Sequence, residues 1–309
     1  MKIQKILKAA YKYIFSKNYR FLINANFHFY DKMPDEQYLK RKFKAAMGKE
    51  LNLENPKTFN EKLQWLKLYD RKPEYTMMAD KYEVRKYIAD KLGEEYLIPL
   101  LGVWDNPDDI DFDKLPDKFV LKCNHNSGLG MCICKDKSKL NIKKVKRNLK
   151  KGLKQNYYLT GREWPYKDIP KKIIAEKYME DKETGELRDY KFFCYDGHVE
   201  NVMICLERNS LEPKFYFFNR EWDLLRLNKR GKEAPENFTL LKPEGMELMF
   251  DIASELSKGL AFARIDLYYC NGRIYFGEIT FFPDSGFDHN LLPETDEYLG
   301  KLINIESIN

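Results

Sequence analysis

The chain has 309 residues, 43% hydrophobic and 33% charged, with a formal net charge of +6. That length can bury a sizeable core and holds two domains or one domain of several lobes, and the thin spread of Gly and Pro excludes a fibrous or disordered chain. The mild positive charge suits anionic small molecules or a membrane surface and does not call for nucleic acid; no stretch approaches the roughly 20 apolar residues of a membrane span.

Residues 1–22, MKIQKILKAAYKYIFSKNYRFL, set Ile3, Ile6, Leu7, Ala10, Ile14 and Phe15 at helical spacing among six Lys/Arg and no acid. Such a helix either lies on an anionic membrane or docks as an ordinary surface helix. Residues 23–60 are mixed and helical in tendency, broken by NPKTF at 55–59. TFNEKLQWLKLYD and DKYEVRKYIADKLG read as helices, the second closed by Gly93. LIPLLGVWDN holds a strand, FVLKCNHNSGLGMCICKD reads as strand, loop and strand, and 135–154 is a lysine-rich, helix-like stretch. IIAEKYM at 173–179 is a strand, and DYKFFCYDGHVENVMICLER holds two more around Asp196-Gly197. A helix over 244–260 precedes ARIDLYYCNGRIYFGEITFF at 263–282, a hairpin about Asn271-Gly272. Helices interleaved with hairpins predict an α+β fold with antiparallel sheets, not a doubly wound parallel sheet. The six cysteines form no CxxC pair and no zinc spacing. Without a secretory signal they read as reduced thiols of a cytoplasmic protein.

Three segments carry candidate chemistry. In the hairpin, Arg264, Asp266 and Glu278 interrupt strands that otherwise read as core. A two-residue loop at Asn271-Gly272 opposes Cys270 to Arg273 and sends Glu278 to the face away from Asp266. A three-residue loop with Gly272 as a left-handed bulge opposes Arg264 to Glu278 and gathers Asp266 and Thr280 beside them, within reach of one small cation. The competing reading is a salt-bridged exposed face. In FVLKCNHNSGLG, Lys122 ends a strand before a loop of Asn, Ser and Gly, able to aim an ammonium and backbone N–H groups at a phosphate. A plain hairpin loop has the same composition. In IIAEKYM, Glu176 with Tyr178 and Met179 can face an adenine edge and wall its ring, or simply end a strand.

Taken in this order, NPKTFNEKLQWLKLYDRKP, ADKYEVRKYIADKLGEEYLIPLLGVWD, FVLKCNHNSGLG and RIDLYYCNGRIYFGEITFFPDSG resemble the TupA-like ATP-grasp family over about residues 50 to 300. That family is associated with bacterial surface-polysaccharide biosynthesis, including teichuronopeptide. The resemblance implies an ATP-grasp fold, two α+β lobes with antiparallel sheets clamping ATP. It divides the chain into a basic helical extension (1–50), a helical segment (51–105), a small lobe with the phosphate loop (106–172) and a large lobe with the hairpin (173–309). It implies that Lys81 and Lys122 contact phosphates, and that Asn126, Ser127, Gly128 and Gly130 close over the γ-phosphate. Glu176 would meet the adenine amino group, with Tyr178 and Met179 along the ring, and Asp189 the ribose. Lys191 and Arg208 would contact phosphate or the substrate carboxylate, Asp266 and Glu278 would bind Mg2+, and Arg264 would stabilise transition-state charge. Thr280 stands where the family commonly has Asn, a poorer Mg2+ ligand that leaves the metal shell open to water or Asp284. With these features upstream, the three-residue hairpin loop is the expected one.

The implied activity is ATP-dependent ligation of a carboxylate to an amine through an acyl phosphate, the acceptor being a uronic acid of a surface or capsular polysaccharide or its precursor. The cofactors are ATP and Mg2+. The partners are a carboxylate-bearing glycan and an amine, with no nucleic acid and with peripheral membrane contact through 1–22 left open. The alternatives are a transferase of the same pathway (a kinase-like phosphotransferase or a glycosyltransferase) and a non-catalytic scaffold.

Overall fold

The computed structural model describes residues 2–182, 185, 187–207, 212–306 and 308. The chain forms two units. One comprises Met1–Arg71, Tyr158–Trp164 and Phe282–Asn309, the other Lys72–Tyr157 and Pro165–Phe281.

The first unit is helical. Lys2–Phe15 and Lys17–Asn26 are separate helices, because Ser16 is extended and its hydroxyl accepts from Tyr19 N to cap the second. Asp35–Met47 ends on Gly48 at φ 74°, and Phe59–Tyr69 opens with a capping box between Thr58 and Glu61. Phe21, Leu39, Phe43 and Phe287 share its core. Among the described residues no helix is long and apolar enough to cross a membrane.

The second unit carries both sheets, and every strand pair in them is antiparallel. Strands β1 (Leu100–Trp104), β2 (Phe119–Cys123), β3 (Cys132–Cys134) and β4 (Ile173–Lys177) form a four-stranded sheet in the order β1-β4-β2-β3. The lysine-rich helix Ile142–Lys154 buries Val145 and Leu149, three and four residues apart from their neighbours on one stripe, in the core under this sheet. Strands β5 (Arg188–Tyr195), β6 (His198–Leu206), β7 (Lys214–Phe218), β8 (Leu224–Leu225), β9 (Ala263–Cys270) and β10 (Arg273–Thr280) form the six-stranded sheet β10-β9-β5-β6-β7-β8. The helix Met246–Ser257 covers β5, β6 and β9, with Phe250 edge-on to Phe192. Strands β7 and β8 were not anticipated from the sequence. The α+β class with antiparallel sheets is the observed one.

The hairpin differs from the expected register. Cys270 pairs with Arg273 across a two-residue turn, with Asn271 at φ 52° and Gly272 at φ 75°, the left-handed pair that a tight hairpin turn needs. The three-residue loop is therefore wrong, and Gly272 is not the bulge. The extra residue is Gly277: Phe276 pairs with Leu267, and Glu278 then pairs with Asp266. A Cβ on Gly277 would lie 2.8 Å from the Asp266 carbonyl oxygen, so only glycine fits this close approach.

Candidate active site

The bulge returns Glu278 to the face of Asp266, and two pairs further on Thr280 stands opposite Arg264. The Arg264 guanidinium forks onto Asp266, Nε to Oδ1 at 2.7 Å and Nη2 to Oδ2 at 2.8 Å. The same Nη2 lies 3.5 Å from Glu278 Oε1 and donates to Thr280 Oγ1 at 3.2 Å, while Thr280 donates to Glu278 at 3.3 Å. On the adjoining β5, Lys191 pairs with Asp266 in register and places Nζ 2.5 Å from Asp266 Oδ2 and 2.7 Å from Asp189 Oδ2. Side chains two apart on β5 thus face the hairpin's charged face together.

Lys81 joins this cluster to the other sheet. It sits in the turn before the helix Val84–Leu92, where Asp80 Oδ1 accepts from Tyr82 N, and the helix begins later than the sequence suggested. Its ammonium lies 3.5 Å from Glu278 Oε2 and donates to the Asn126 carbonyl at 3.0 Å. Beside it on the four-stranded sheet, Lys122 of β2 and Glu176 of β4 meet at 2.6 Å, and Arg85 reaches the second Glu176 oxygen at 3.3 Å. Arg85 escaped the sequence reading. Its place four residues after Lys81 is not a helical pairing, because the helix starts only at Val84.

The electrostatics single out Glu278. Burial alone would raise its carboxyl, but Lys81, Arg264, Lys191 and Lys122 overcome that and hold it down at about 2. Its side chain keeps 37% exposure against 3% for Asp266, so Glu278 is the carboxylate open to a ligand.

The loop that follows β2 is anchored at both ends and open at its tip. Asn124 donates to Asp80 and the Pro170 carbonyl, and accepts from Lys172 N. The His125 Nε2 meets the Gln155 carbonyl, and burial keeps the imidazole neutral, its pKa lowered to about 4. Asn126 is buried, its amide donating to the Leu129 and Gly152 carbonyls, so its side chain serves the loop itself. Ser127, Gly128 and Leu129 are exposed, and Gly130 sinks against Gly152 of the lysine-rich helix, where a Cβ would lie 3.1 Å from the Gly152 Cα. Tyr178 is half-buried with Lys118 and Lys135 over its ring at 5.8 and 5.4 Å, and Met179 is half-buried beside it in sequence. Arg208 lies outside the described residues.

For a divalent cation, the protein offers the Asp266 and Glu278 carboxylates and the Thr280 hydroxyl, all oxygen donors. Among the described residues no three His, Cys, Asp or Glu side chains gather as a metal cage. That set fits Mg2+, which takes one or two carboxylates and leaves its other positions to phosphate and water. Hard oxygen donors set face to face across a hairpin are the observation that carries this fit.

A family model for TupA-like ATP-grasp proteins matches residues 61–304. The chain belongs to the TupA-like ATP-grasp family. The match spans every residue of the cluster described above. Two solved structures similar to this TupA-like chain are D-alanine–D-alanine ligases. The one from Bacillus anthracis, complexed with ATP, is 17% identical over 75% of this chain and 66% of that one, with a TM-score of 0.45. The one from Helicobacter pylori is 14% identical over 80% and 69%, with a TM-score of 0.43. The chain spans 66% of the length of the Bacillus anthracis ligase. No curated protein matches it.

Proposed function

We propose that this ATP-grasp chain is an ATP-dependent ligase that joins a carboxylate to an amine, with a uronic acid of a bacterial surface polysaccharide or its precursor as the acceptor. The supporting observation is the interlocked cluster in which Lys81, Lys191 and Arg264 neutralise Asp189, Asp266 and Glu278. Incoming Mg-ATP carries both partners such a cluster needs. Its phosphates take the lysines, the cation takes the carboxylates, and no charge is left buried alone. Mg2+ held by Asp266 and Glu278, with the Thr280 hydroxyl as a weaker donor, supplies neutralisation of the phosphate charge.

In this reading Lys81 and Lys122 orient the phosphates, Ser127 and the backbone N–H groups at the loop tip cover the γ-phosphate, and Glu176, Tyr178 and Met179 line the adenine. Asp189, which pairs with Lys191, would meet the ribose. The acceptor carboxylate attacks the γ-phosphorus, the bond to ADP breaks, and an acyl phosphate results. The amine then attacks the acyl carbon and loses a proton, and inorganic phosphate leaves with an amide formed. Positioning and charge neutralisation carry most of the catalysis, with Arg264 placed against the developing negative charge. Segments 106–172 and 173–309 are the two lobes of this proposal, preceded by 1–50 and 51–105.

The experiment is incubation of purified protein with Mg-ATP, a uronate-bearing glycan and pooled amines. Amine-dependent phosphate release and a mass gain equal to the amine less water support the ligase. A product heavier by one phosphoryl group, without amine dependence, makes it a kinase. Preference for a nucleotide sugar makes it a glycosyltransferase, and no turnover of any nucleotide makes it a scaffold.

A further inference from the structure

The first thirty residues hold six Lys/Arg and not one acid; Asp31 is the first. The structure gives this composition a shape. In the helix Lys2–Phe15, successive residues turn by about 100°, which puts Ile6, Leu7, Ala10 and Ile14 on one side and Lys8 and Lys12 on the other. An ordinary surface helix buries that apolar side. This one leaves it open: Ile6 keeps 61% exposure, Leu7 64% and Ile14 62%.

The helix is nevertheless held in place. Tyr13 donates to Asn24 Oδ1 at 2.8 Å, and Arg20 donates to the Ile14 carbonyl at 2.8 Å and the Tyr13 carbonyl at 3.2 Å. These bonds fix its C-terminal turn to the helix Lys17–Asn26 and leave the apolar stripe uncovered. Two more rings, Phe27 and Phe29, stand exposed just after that second helix.

We infer that Lys2–Phe15 is a membrane-surface helix that lies in the interface of a bilayer containing anionic lipid. The apolar stripe enters the acyl boundary while Lys8, Lys12 and Lys17 meet lipid phosphates. Charge decides the occupant: a second copy packed stripe to stripe would bring the same cations and no acid against these lysines, whereas an anionic surface complements them. The inference stands without the ligase reading.

The test uses the full chain and sedimentation with vesicles of phosphatidylcholine containing roughly 30% phosphatidylglycerol, a charge density at which basic segments bind. The wild-type chain should bind these vesicles at least about tenfold more tightly than pure phosphatidylcholine vesicles. Leu7→Glu/Ile14→Glu should abolish binding and leave ATP turnover unchanged. Lys8→Glu/Lys12→Glu should remove the preference for anionic lipid. Equal binding by the wild type and the Leu7/Ile14 variant, or no binding by either, overturns the inference. So does a dimer by light scattering that the Leu7/Ile14 variant converts to monomer, since the stripe would then belong to a second copy.

Discussion

Glu278 stands directly across the hairpin from Asp266 because Gly277 is bulged out of the pairing between them. Strict alternation from the two-residue turn would have put the two carboxylates on opposite faces. One extra residue restores them to a shared face and brings Thr280 opposite Arg264. The carboxylate face is therefore a product of the bulge, and the turn at Asn271-Gly272 only closes the hairpin.

Filling the bulge should break the site. In Gly277→Val the new Cβ would press on the Asp266 carbonyl at 2.8 Å and on the Tyr268 ring at 3.0 Å. The strain should cost about 1–3 kcal/mol of stability and lower ATP turnover at least about tenfold, as a misplaced carboxylate does. Thermal unfolding and turnover measured on the same sample check both. A destabilised variant with full turnover would show that the bulge does not set the site.

The two carboxylates should separate in their effects on stability. Asp266 is buried and accepts from both Arg264 and Lys191, so Asp266→Asn leaves two buried cations short of a counter-charge and should cost about 3 kcal/mol. Glu278 keeps 37% side-chain exposure, so solvent screens its attraction to Lys81 and Arg264, and Glu278→Gln should cost less stability than Asp266→Asn. Both should abolish ATP turnover. Urea unfolding alongside turnover distinguishes these outcomes from a general loss of fold.

His125 makes the loop after β2 acid-sensitive. Its folded pKa lies at about 4, against 6.5 for an ordinary imidazole, with burial the largest cause. Between those values the unfolded chain holds a proton that the folded chain refuses, so stability falls as pH drops from 6.5 towards 4. His125→Gln keeps a donor for the Gln155 carbonyl and removes the titration. Urea midpoints at pH 7, 5.5 and 4.5 should fall less steeply for the variant than for the wild type.

Much of this was legible in the sequence, because period-two patterns and an Asn-Gly turn announce a hairpin whatever surrounds it. The bulge also left a trace. Apolar core positions run Ile274, Phe276, then Ile279, so their parity changes across Gly277. The anchoring of the loop after β2 was not legible, since Asn124, His125 and Asn126 find partners 26 to 48 residues away. Nor was the core of the helical unit. There Lys67, fully buried, donates to Gln64 Oε1 at 2.9 Å, the Gly161 carbonyl at 2.8 Å and the Ser285 carbonyl at 2.7 Å, from three separate stretches of chain.

That lysine holds a strained turn. Asp284 and Ser285 lie at φ 48° and 52°, unfavourable for residues with a Cβ, and Lys67 and Gln64 both bind the Ser285 carbonyl. Lys67→Met removes three donated hydrogen bonds from a buried site and should destabilise the protein by about 2–4 kcal/mol. Urea unfolding reads this, and a loss under 1 kcal/mol, about the worth of one exposed contact, would mean the turn is held by other groups.

The ligase account is tested most directly by isotope transfer. A uronate acceptor labelled with 18O in its carboxylate is turned over with Mg-ATP and amine, and the released phosphate is weighed by mass spectrometry. Attack by the carboxylate on the γ-phosphorus predicts one 18O atom in each inorganic phosphate formed. Phosphate released without the label, at the same rate of ATP consumption, would contradict it.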